Sequence, residues 1–274
     1  MKEKYINGDI VKSNALIEAV YNPGSVYQMR LLMAALMQVK AKEITDPDIV
    51  YTVTANTLAD ITGTSARGNY QELKNAADDL LNTVVTIEDN PNGQRGRPSR
   101  TKINLVGACE YFDGEGKVEL VFTKQILPYV SNLRKRFTQY QAKYVMPMRS
   151  SYGIRLYELC LQWLGDEREF EVQEFRRMFG LENKYKKLAE IKRRVIQPAL
   201  DDINKHSDIR VDFGQRKSGR KVTHFQFMIT RKAKTKKLTF NQFIEQHARP
   251  GESWEAAKNR LTKPYQEASP RYQK

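Results

Sequence analysis

The chain holds two cysteines, three histidines and two tryptophans among 274 residues, and each scarcity removes a class of function. Cys109 and Cys160 lie far apart in apolar contexts, which suits reduced core thiols of a cytoplasmic protein and not a disulfide framework. No apolar run reaches the roughly 18 residues that a membrane span needs, and the Met1–Asp9 start is too polar for a signal peptide. His206, His224 and His247 are dispersed with no His-x-His pair, so the metal site of a tyrosine-dependent nicking enzyme has no ligands, and no other metal-ligand spacing occurs. Gly114-Glu-Gly116-Lys117 lacks the spacing and the following Ser or Thr of a P-loop and reads as a hairpin turn. Asp78-Asp79 and Asp201-Asp202 are adjacent on helices, diverge in direction, and read as solvated surface. The sequence therefore assigns no catalytic residue, no metal and no cofactor, and predicts a protein that is not an enzyme.

What the chain has is positive charge. The formal charge is +14 with a pI near 9.6, which favours a polyanionic partner. The surplus is concentrated: Leu181 to Lys237 carries 17 Lys or Arg against 6 Asp or Glu. At its centre is a helix-like run from Lys184 to about His206. Leu188, Ile191, Val195, Ala199 and Ile203 recur at helical spacing and predict one buried stripe. Lys186, Glu190, Arg193 and Gln197 fall on the opposite face, flanked by Arg194. Upstream, Val172 to Phe179 reads as a short helix stopped at Gly180, and downstream Ile209 to Ile229 reads as a basic hairpin. A short helix, a turn, a basic second helix and a wing form a winged helix-turn-helix, which offers the second helix to a DNA major groove. Pro198 removes one helical hydrogen bond and predicts a kink or break.

The pattern occurs twice. Thr54 to Gly63 predicts a short helix, and Tyr70, Leu73, Ala76, Ala77, Leu80 and Leu81 predict a second. Val84–Ile87, a Gly/Arg loop from Asn90 to Arg100, and Thr101–Tyr111 then parallel the downstream hairpin. The expected fold is α+β, a tandem of two related winged helix-turn-helix domains. The first copy's second helix sets Arg67 and Lys74 against Glu72, Asp78 and Asp79, so that copy touches backbone through its wing at most. Ser13 is placed as a helix cap, and Met29, Leu32, Met33, Leu36 and Met37 as a core stripe, with Trp163 also in the core. Arg134 to Tyr140 reads as either a solvated linker or a second phosphate-tracking element.

Several motifs occur in order: Arg136-Phe-Thr-Gln-Tyr140, Ser151-Tyr-Gly-Ile-Arg155-Leu-Tyr157-Glu-Leu, Phe175-Arg-Arg-Met-Phe-Gly180, and Ile191-Lys-Arg-Arg-Val-Ile-Gln-Pro-Ala199 followed by Asp202-Ile-Asn204. Together they resemble the replication initiator (Rep) family of iteron-containing, theta-replicating plasmids, over roughly residues 10 to 232. The resemblance implies a first domain mainly for dimerisation and a second for repeat-sequence DNA. It further implies monomers that bind direct repeats and promote origin opening, dimers that repress their own synthesis, and help from host helicase and initiator proteins.

Carried onto this chain, the match places Lys192, Arg193 and Arg194 on the reading helix. The base-reading set is Lys186, Glu190, Arg193, Arg194 and Gln197, with Arg193 and Lys186 favoured for base edges. The phosphate set is Lys187, Lys192, Arg216, Lys217, Arg220 and Lys221, with Arg95, Arg97 and Arg100 from the first wing. Lys192 projects nearer the apolar stripe and reaches phosphate by its long stem.

The division is 1–133 for the first domain, 134–237 for the second and 238–274 for a tail. Helices are expected at 240–247 and 253–261, with a disordered end from Thr262. A repressor with the same fold and no replication role is the alternative, and an origin-nicking enzyme is the third reading.

Overall fold

The computed structural model describes residues 8–62, 66–88, 100–233, 240–249 and 252–268. Two units separate by their contacts, Met1–Arg231 and Lys232–Lys274.

The first unit holds both predicted copies. Copy one runs α2 (Val26–Leu36), β2 (Tyr51–Thr54), α3 (Ala55–Thr62) and α4 (Ala66–Leu81), then β5 (Val106–Phe112) and β6 (Lys117–Phe122), in a sheet ordered β2-β6-β5. Copy two runs α6 (Ser151–Leu161), β8 (Glu167–Glu171), α7 (Val172–Met178), a long helix, β9 (Ile209–Ser218) and β10 (Lys221–Arg231), ordered β8-β10-β9. The shared order, with the first strand beside the last, makes the repeat structural.

Sequence pairing misassigned the first wing. The run 101–111 is two strands: β4 (Thr101–Asn104) pairs with β3 (Val84–Ile87), and β5 pairs with β6 across the Asp113–Gly116 turn. The counterpart of the β9–β10 hairpin is therefore β5–β6, and the β3–β4 pair with its Gly/Arg loop is an insertion. Each pair holds one strand that alternates buried and less buried positions, β3 and β6, so periodicity alone cannot tell which pair is the wing.

The residues read as linker or phosphate tracker also have another role. Phe137–Gln141 forms β7, antiparallel to β1 (Asp9–Ser13), and buries Tyr140. Ser13 caps α1 (Asn14–Ile17) by accepting from the Leu16 N–H, as its position predicts. Met29, Leu32, Met33 and Leu36 are buried and Met37 is half-buried. Cys160 is buried and Cys109 half-buried on β5; burial pushes the Cys160 thiol up to about 12. Trp163, expected in the core, is 42% exposed and lies under the Arg168 guanidinium, 5.1 Å from its ring centre.

Polar contacts, some of them fully buried, join the N-terminal half of the first unit to copy two. Lys12 Nζ and a Glu158 oxygen lie 2.5 Å apart with both side chains fully buried, and the Tyr140 hydroxyl donates to the same oxygen. Arg155 donates to the carbonyls of Ile17 and Ala19 and lies 4.1 Å from the Tyr21 ring centre. Arg30 donates to the carbonyls of Met146 and Met148 at 3.0 and 2.9 Å. Arg168 binds Glu18 through two bonds of 2.9 and 2.8 Å. Arg177 donates to Glu88 at 2.7 Å. That bond is the main reason the Glu88 carboxyl lies below its ordinary range. Gly180 has φ +62°, and a Cβ there would fall 2.8 Å from the Asn22 Cβ, so both its backbone and its packing require glycine.

The second unit is helical where described. Its helices α10 (Phe240–His247) and α11 (Trp254–Ala268) share a small core of Ile244, Ala257 and Leu261. The second helix runs seven residues past the expected 261, through the stretch from Thr262 expected to be disordered. Residues 269–274 lie outside the described residues.

Candidate nucleic-acid interface

The long helix begins later than its sequence suggests. It is α8 (Leu188–Ile191), a π-helical turn (Lys192–Ile196) and α9 (Gln197–His206), with helical dihedrals maintained through Lys192, Ile196 and Gln197. Pro198 does not break it; the proline follows the wide turn, at the start of α9, where a missing N–H is tolerated.

The wide turn also explains the spacing. Ile191, Val195, Ala199 and Ile203 are all buried at intervals of four. In a regular α-helix each such step overshoots a full turn by about 40°, so three would swing the stripe about 120°. The Gln197 N–H bonds back to the Lys192 carbonyl, five residues away. That takes up nearly one residue of rotation and keeps the stripe straight. The opposite face is straightened too: Ala189, Arg193, Gln197 and Asp201 are exposed at the same interval. The helix seats closely because Gly153 of α6 lies against Ala199, and Asp202 accepts the N–H groups of Arg149 and Ser150 at 2.8 and 2.7 Å. Asp202 is thus half-buried against the segment that enters α6, whose cap is Ser150, and is not solvated surface, whereas Asp201 is exposed.

The predicted base readers divide. Arg193, Arg194 and Gln197 are exposed on the helix, and Glu190 is half-exposed beside them. Arg194 lies over the Tyr185 ring at 5.9 Å, and Gln197 donates to Asp201 at 2.8 Å. Lys186 is not on the helix. It lies, exposed, in the loop before it, where Lys187 is the N-cap residue. Ala189 also belongs to the exposed line; the phase of a regular α-helix starting at Lys184 places it outside the predicted face.

The predicted phosphate contacts divide as well. Lys217, Arg220 and Lys221 are exposed at the tip of the β9–β10 hairpin, which turns at Gly219 with φ +59°. Arg216 is instead held by Glu169 of β8 through bonds of 2.8 and 2.7 Å, so much of its charge is neutralised. Lys192 is half-buried and donates to Gln215 at 3.5 Å, pointing at the hairpin. Arg100 is exposed and donates to Glu88 at 2.9 Å. Arg95 and Arg97 lie outside the described residues. Among the described residues no group of three potential metal ligands occurs, and no helix is long and apolar enough to cross a membrane.

Two winged helices, with Arg193 and Arg194 exposed on the second copy's long helix beside a basic hairpin, define a tandem winged-helix protein. The sequence matches the family descriptions "Initiator Replication protein, WH1" over residues 9–161 and "Initiator Rep protein, WH2" over 171–229. The chain belongs to this replication initiator family. It is 26% identical over 217 residues to a Replication initiation protein of Escherichia coli, covering 74% of this chain and 64% of that one. It therefore spans less than two thirds of that relative's length. It is 23% identical to the PI protein of Escherichia coli over 228 residues, 72% of this chain and 75% of that one. The crystal structure of Pi initiator protein in complex with iteron DNA matches with a TM-score of 0.67 at 21% identity, covering 81% of this chain and 96% of that chain. That likeness establishes the fold.

Proposed function

We propose that this protein initiates plasmid DNA replication by binding repeated origin sequences (iterons) as a monomer and promoting origin opening. The carrying observation is the exposed line Ala189, Arg193, Gln197 on a helix with basic elements at both sides. Arg193 donates two hydrogen bonds to guanine O6 and N7; Glu190, Arg194, Gln197 and Lys186 read neighbouring base edges. Lys187, Lys217, Arg220 and Lys221 fix register on phosphates, with smaller contributions from Lys192 and Arg216, which already have protein partners. Arg100, with Arg95 and Arg97, contributes backbone contacts from the first domain. Opening draws on binding energy and DNA distortion, not on catalysis. Host helicase and initiator proteins assist, and a dimer formed through the first domain represses synthesis of the protein. The site of action is the cytoplasm.

The relative in complex with iteron DNA supports the choice of ligand. A plasmid carrying the direct repeats upstream of the gene, and no other origin, tests the role. It should be maintained when this protein is supplied in trans. Repression of the promoter without maintenance would establish the repressor reading instead.

The hairpin tip makes a separate prediction. Lys217→Ala should weaken cognate and random DNA alike and reduce the slope of log affinity against log salt by about 1. A loss confined to the cognate site, in the same titration, would contradict a phosphate role.

A further inference from the structure

Arg176 is buried in α7, and its guanidinium donates to four backbone carbonyls of one loop. Nη1 bonds to Leu181 at 3.2 Å and to Lys184 at 3.0 Å; Nη2 bonds to Tyr185 at 2.8 Å and to Lys186 at 3.0 Å. The loop runs from Phe179 to Lys187 and is the connection between the two helices of the helix-turn-helix. It is long for such a turn, and Tyr185 has a left-handed φ of +52°. A loop of this length would sample many conformations unless something fixed it. The planar fork fixes it from inside, gathering four carbonyls at one charge. Lys184, Lys186 and Lys187 are left exposed on the outside, immediately before the helix that carries Arg193.

We infer that Arg176 is a positioning residue for DNA recognition: it holds the 181–187 loop so that Lys186 and Lys187 meet DNA in register with Arg193. This inference rests on the DNA-reading function proposed above. Arg176 itself touches no ligand. Its effect is preorganisation, because the ordering of three lysines and their loop is complete before DNA arrives. A lysine in its place reaches one or two of the carbonyls and cannot gather all four.

The test compares Arg176→Lys with the unaltered full chain. Binding of a duplex containing the upstream repeats and of a scrambled duplex is measured by anisotropy, and amide exchange is followed at Lys184–Lys187. Arg176→Lys should lose about tenfold in cognate affinity, change random-duplex binding much less, and exchange the loop amides faster. An unchanged cognate-to-random ratio, or unchanged loop exchange, overturns the inference. If Arg176→Lys does not fold cooperatively, Asn183→Gly loosens the same loop without touching α7 or a DNA-reading side chain, and the same fall in ratio is expected. A missing cognate preference in the unaltered protein would overturn the DNA-reading function, and with it this inference; that result is separable because the unaltered chain is measured first.

Discussion

Lys12→Met is expected to destabilise the Met1–Arg231 unit by about 3–5 kcal/mol, because it leaves the Glu158 carboxylate buried without its cation. After the substitution Glu158 retains, among the described residues, only the hydrogen bond from Tyr140 at the shared oxygen. The position is costly for a second reason. Lys12 lies on β1, which pairs with β7, and Glu158 lies on α6, which packs against the reading helix. The pair therefore ties β1, ahead of copy one, to the helix that seats the long helix of copy two. Urea denaturation of the single variants and of Lys12→Met with Glu158→Leu separates the pair from its packing. The double variant should recover much of the loss, since an apolar pair of similar volume needs no desolvated charge. A Lys12→Met loss below about 1 kcal/mol would mean that the pair contributes little, as exposed ion pairs do.

Arg193→Ala carries the second large effect. One good bidentate contact to guanine discriminates by about 1–3 kcal/mol, so the cognate site should weaken by roughly 5- to 150-fold while random DNA changes little. Arg193 suits this role because it is exposed in the middle of the helix line and, unlike Arg216, forms no ion pair with a neighbouring carboxylate among the described residues. Equal losses on both duplexes would make it a phosphate contact.

The comparison of these two arginines shows what was legible in the sequence. The reading helix, its buried stripe, the duplicated architecture and the exposed cations Arg193, Arg194, Lys217, Arg220 and Lys221 all follow from local spacing, and local spacing survives folding. The fate of Arg216 does not follow, because Glu169 lies 47 positions away and meets it only through the β8-β10-β9 sheet. Lys186 was misplaced for a different reason. Lysines fit an amphipathic helical pattern as readily as they fit a loop, and nothing local announces the three bonds from Arg176 to the carbonyls of Lys184, Tyr185 and Lys186 in the loop. The π-turn was hidden in plain view: apolar intervals of four, repeated three times, ask for more than 3.6 residues per turn. The expected break at Pro198 overlooked that the chain could widen its helix before the proline. Strand β7 could not be separated from a linker because its partner, β1, lies more than a hundred residues earlier.

We propose sequence-specific DNA reading by the second winged helix. The most direct measurement is fluorescence anisotropy with a duplex from upstream of the gene and a scrambled duplex, titrated over a range of salt. A cognate preference above about 10³ that persists near physiological salt is the predicted result. Equal binding to both duplexes, falling steeply and in parallel with salt, would reduce the site to a basic surface and contradict the claim.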